Sequence, residues 1–90
     1  MLKAKLSHQA GVTLAGMKQP MRGMVTAVID RLCLSDGAAP PSDPVPLLFP
    51  QRQVFIEEPE RVGERWRVVF CTYPDQGLLH VPVIELAPVF

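Results

Sequence analysis

Cys71, Asp75 and His80 have the residue types of a nucleophile, an orienting acid and a general base, and they fall within ten residues of one another. A thiol attacking an acyl group needs an imidazole within hydrogen-bond reach and a third group to hold that imidazole. The surrounding residues argue for another role. Residues 65–72 alternate apolar and polar side chains, the segment Tyr73-Pro74-Asp75-Gln76-Gly77 has the chemistry of a type I turn followed by a left-handed glycine, and residues 78–81 return. Asp75 then belongs to a turn tip and Gly77 to the turn rather than to an oxyanion hole. A flat hairpin also offers no concave site for a substrate. His80 is expected as a partly buried ring bonded to backbone, and the protein as non-enzymatic, with no catalytic residue.

Metal chemistry finds no better footing. His8 lies beside Ser7 and Gln9 in a polar stretch and is expected at the surface. Glu57, Glu58 and Glu60 form an acidic group without the alternating carboxylates and central glycine of a calcium loop. Cys33 and Cys71 each sit among apolar neighbours, so both are expected as reduced, buried small hydrophobes, not as a disulfide or a zinc site. No metal and no cofactor is expected.

Binding chemistry remains. The formal net charge is zero, yet residues 1–22 carry Lys3, Lys5, Lys18 and Arg22 with no acid, and the rest of the chain is net acidic. A basic N-terminal arm can contact phosphate backbones. Phe55, Trp66 and Tyr73 could stack bases beside Arg65 and Arg67. This defines an alternative function, a weak single-stranded nucleic-acid-binding module. Against it, Trp66 shares a strand face with Val68 and Phe70, which predicts a core position, and Glu58, Glu60 and Glu64 flank that strand. The favoured expectation is protein–protein contact, most simply a homodimer, through Leu47, Leu48, Phe49, Tyr73 and Leu79. The first three form an apolar trio inside a proline-rich stretch that is poorly suited to burying it internally.

The elements that must position these residues follow from punctuation and periodicity. Ninety residues predict one domain, and 48% hydrophobic content predicts a folded one. No apolar run is long enough to span a membrane, and the N-terminus lacks the apolar core of a signal peptide, so a cytoplasmic protein is expected. Residues 2–6 alternate as an edge strand flanked by lysine. Residues 24–34 are rich in β-branched side chains, are led by Gly23 and stop at Ser35-Asp36-Gly37. They read as a central or bent strand, with a helix as the rival assignment. Residues 38–50 hold five prolines and form a loop insertion with polyproline character. Residues 53–57 are a strand, residues 58–64 a solvated acidic connection, and residues 65–72 the strongest strand. Pro82 is expected to interrupt the return strand, with a 3₁₀ turn near residues 83–86. The sum is an all-β fold: a small SH3-like barrel or strongly curled antiparallel sheet of five to six strands.

Two segments carry a family resemblance. Gly23-Met24-Val25-Thr26-Ala27-Val28 and Trp66-Arg67-Val68-Val69-Phe70-Cys71, followed by Gly77 and Leu86, resemble the YodC-like small proteins of unknown function. The resemblance implies an SH3-like β fold, and it places no catalytic residue at any position of this chain.

Overall fold

Helices occupy much of what the β-branched pattern assigned to strands. A computed structural model describes residues 1–87. Its elements are β1 (Lys3–Leu6), α1 (His8–Gly16), α2 (Met21–Leu34), β2 (Asp43–Pro44), β3 (Arg52–Glu57), β4 (Arg65–Tyr73), a 3₁₀ turn (Pro74–Gln76) and β5 (Leu78–Leu86). The sheet runs β1-β5-β4-β3-β2, with β1 parallel to β5 and the other neighbours antiparallel. The expected all-β barrel is therefore wrong. The chain folds as a mixed α/β domain in which an open five-stranded sheet is covered by two helices on one side.

The reason lies in α2. Its buried residues are Met21, Val25, Ile29, Leu32 and Cys33, spaced at the helical repeat, while Arg22, Asp30 and Arg31 point to solvent. The β-branched content of residues 25–29 is a weak preference, and packing of one apolar stripe against the sheet outweighs it. With this segment helical, the sheet has too few strands to close, and its two edges lie at opposite ends. The helix is held at its start by the Gln19 side chain, whose Oε1 accepts from the Gly23 amide at 3.0 Å. It stops in a Schellman turn. Asp36 (φ 54°) and Gly37 (φ 88°) adopt left-handed backbone, and their amides donate to the Cys33 and Leu32 carbonyls at 3.4 and 2.7 Å.

The core lies between the helices and one sheet face. Val54 and Ile56 of β3, Val68 and Phe70 of β4, and Leu79, Val81 and Ile84 of β5 meet Ala10, Met17 and the buried stripe of α2. Trp66 packs against this core from its margin and is half-buried, less enclosed than a strand-face assignment to the core implies.

Pro82 does not end the return strand. Val69 faces Val83 and Cys71 faces His80, so β5 carries one extra residue across this interval, a bulge at Val81-Pro82. A bulge tolerates a residue without an amide donor, which is why β5 continues to Leu86 in place of the expected 3₁₀ turn. Just here β1 gives way to α1, and two side chains take over the strand edge. The Ser7 hydroxyl accepts from the Ala10 amide at 3.1 Å, capping α1, and donates to the Pro82 carbonyl at 2.6 Å. The Gln9 amide then imitates a strand neighbour for Ile84, donating to its carbonyl at 3.0 Å and accepting from its N–H at 3.4 Å. Ser7→Ala should therefore lower stability by about 1–2 kcal/mol through loss of the cap and of the bond to Pro82. Urea denaturation should show a reduced midpoint at unchanged slope.

Candidate contact surfaces

Among the described residues three surfaces outside the core bear the expected contact residues or a cleft: the β2–β3 hairpin tip, the sheet face opposite the helices, and a cleft at the helix–helix turn.

The tip is set by backbone bonds within residues 45–51. The Val45 amide donates to Gln51 at 3.0 Å, Leu48 to Val45 at 3.2 Å and Gln51 to Leu48 at 2.8 Å. Val45 is buried and anchors the loop. Leu47, Leu48 and Phe49 project from it, with Leu47 at 102% and Phe49 at 96% exposure, and Leu48 also exposed. Leu47 sits at φ 65°, a left-handed conformation that disfavours a side chain with a Cβ. Of the other two residues expected at a protein contact, Tyr73 is exposed at the end of β4. Leu79 is not available. It lies opposite Thr72 on the helix-covered face and is fully buried, while its neighbour Leu78 faces the open side. Strand parity excludes Leu79 from any contact surface.

The open sheet face carries Lys3 and Lys5 of β1, Leu78, His80, Val83 and Glu85 of β5, Arg65, Arg67, Val69, Cys71 and Tyr73 of β4, and Phe55 of β3. Half of it is closed by its own side chains. The Arg65 guanidinium lies 3.8 Å from the Phe55 ring centroid. Arg67 spans three strands, pairing with Glu85 on β5 through Nε at 3.0 Å and reaching Gln53 on β3 at 3.2 Å. These contacts occupy two of the bases and one of the aromatics considered for nucleic acid. Lys18 and Arg22 lie elsewhere, at the helix–helix turn and in the first turn of α2. The six bases therefore do not form one patch. Trp66 is on the other side of the sheet, where its indole N–H donates to Glu58 Oε2 at 3.2 Å.

The fold puts Cys71 and His80 directly opposite one another on β4 and β5, while Asp75 stays in the exposed 3₁₀ turn. The Tyr73 phenol has its pKa raised, first by side-chain hydrogen bonding with Cys71 and then by the coulombic interaction between the two groups. Cys33 lies in the core on the far side of the sheet, and burial, reinforced by Asp30, raises its thiol pKa. The two cysteines are free and separated by the sheet. His8 is exposed in the first turn of α1. Among the described residues no group of three or more His, Cys, Asp or Glu is arranged to hold a metal ion.

The cleft, of about 260 Å³, is lined by Met17, Lys18, Met21, Glu58, Arg61 and Trp66 among others. Two bases, Lys18 and Arg61, and two acids, Glu58 and Glu60, line it, so it selects no single ligand charge. No family model, no curated protein and no solved structure matches this chain. Among the described residues no helix is long and apolar enough to cross a membrane.

Proposed function

We propose that the protein is a non-enzymatic module for protein–protein contact that associates with a second copy of itself through the β2–β3 tip. The observation that carries this reading is the full exposure of Leu47 and Phe49 on a loop that holds Leu47 in left-handed backbone. Such a conformation costs about 1–3 kcal/mol, and it presents apolar surface to water instead of hiding it. An apolar tip is self-complementary across a twofold axis. The loop between β2 and β3, residues 45–51, carries no charged side chain, so two copies meeting at the tip bring together no like charges. β2 covers only Arg52 and Gln53 of β3, which leaves Val54–Glu57 without a strand neighbour on that side. The second copy can extend its contact along this edge. A cytoplasmic setting with reduced thiols suits two cysteines on opposite sides of the sheet.

Sedimentation at micromolar concentration should give a mass above that of the monomer. The double substitution Leu48→Ser, Phe49→Ser should shift it to monomer with an unchanged circular dichroism spectrum, because neither side chain belongs to the core. A strictly monomeric wild type overturns the proposal.

A further inference from the structure

We infer that the open sheet face holds a small-anion site, formed by Lys5, Tyr73, Gln76 and His80 around Leu78, that takes a phosphate monoester. The pairing of β1 with β5 creates it. Lys5 stands beside His80 and Lys3 beside Leu78 across the parallel ladder, while Leu78 stands beside Tyr73 across the antiparallel one. Three strands thus bring their side chains to one depression of about 170 Å³, closed at one end by Gln76 of the 3₁₀ turn. Gly77, at φ 65°, reverses the chain there and sets Gln76 beside the strand ends.

The chemistry of the lining is one-sided. Lys5 supplies an ammonium with three donors, Gln76 an amide N–H₂ and His80 a ring N–H, while the Tyr73 hydroxyl would turn from Cys71 to reach a ligand. Among the described residues no carboxylate lines the depression. Lys5 and His80 have no ion pair and no side-chain hydrogen bond among the described residues, whereas Arg65 and Arg67 on the same face are already engaged. Lys3 adds a second positive charge on the same face, and Asp75, the residue before Gln76, is not part of the lining. Every polar side chain of the lining can donate and the one formal charge among them is the Lys5 ammonium, which favours an anion, and a tetrahedral oxyanion can use donors that approach from three strands at once. Leu78 and the Tyr73 ring leave an apolar wall for the carbon skeleton of an ester. The depression has room for a phosphoryl group with a few further atoms.

The test uses inorganic phosphate and glycerol phosphate as probes, titrated against chloride at matched ionic strength and followed by proton NMR. Tyr73 is the single tyrosine, and His8, on α1, is an internal control for His80. The ring signals of Tyr73 and His80 should shift and saturate with both probes while those of His8 stay in place. Lys5→Gln and His80→Gln should each weaken binding about tenfold, as loss of one charge-assisted hydrogen bond does. Acetate, with two acceptor oxygens, should bind more weakly than phosphate. Equal movement of His8 and His80, affinity for acetate equal to that for phosphate, or undiminished binding by both folded variants would overturn the assignment.

Discussion

Phe70→Ala is expected to lower stability by about 3–5 kcal/mol, most of what holds so small a domain together. Phe70 lies on β4, between β3 and β5 in the sheet, and is 1% exposed. Among the described residues it is the largest side chain that is fully enclosed. Its truncation removes a ring packed between the sheet and the end of α2, and the close-packed surroundings cannot collapse to fill the space. Phe49→Ala removes the same ring from solvent and should leave monomer stability within about 0.5 kcal/mol of wild type. Chemical denaturation of the two variants side by side checks the core assignment. Equal losses would show that β4 is not packed as described.

The second large effect is expected at Gly37. A Cβ built there would lie 2.7 Å from Thr72 Cγ2, at a position whose φ is already 88°. Gly37→Ala should cost about 2–4 kcal/mol, roughly one from the left-handed backbone and the remainder from the contact. Thr72 is β-branched and fixed on β4, so its methyl cannot turn aside freely. Thr72→Ser deletes that methyl, and in the Gly37→Ala background it should recover the steric share of the loss, leaving a positive coupling in a double-mutant cycle. Gly77→Ala provides the control. Gly77 also has positive φ, 65°, but nothing lies within 4 Å of its Cβ position, so it should cost the backbone share alone. Equal losses at the two glycines would remove the steric account of the α2–β4 junction.

Local periodicity is informative where a segment has one apolar face and sharp punctuation. β3, β4 and β5 are of this kind. Their alternation, the turn at residues 73–77 and the left-handed Gly77 are all written in neighbouring residues, because the period of a strand and the chemistry of its turn are properties of a few bonds. Residues 21–34 are apolar at more than one repeat, and both a strand and a helix can be drawn through them. The helical stripe Met21, Val25, Ile29, Leu32 was present in the sequence, but β-branched content pointed the other way. The SH3-like β fold implied by the YodC-like resemblance also requires a strand at Gly23 to Val28, where the chain is helical.

The contact surfaces divide in the same manner. A proline-rich stretch carrying Leu47, Leu48 and Phe49 announces apolar residues with nowhere local to go, and the chain does present them at a hairpin tip. Leu79 shows the limit of composition: whether it or Leu78 meets solvent depends on which face α1 and α2 cover, and that is a non-local fact. The Lys5–His80–Tyr73 site depends on a parallel pairing between residues some 75 positions apart, whose register no local pattern records. By itself, then, the sequence determined the antiparallel hairpins, the edge lysines and the exposed apolar tip, since each follows from interactions within a few residues. The fate of residues 21–34, the open sheet and the grouping of β1 with β5 were settled by long-range burial, because a helix of marginal intrinsic preference forms only when a sheet face is there to receive its apolar stripe.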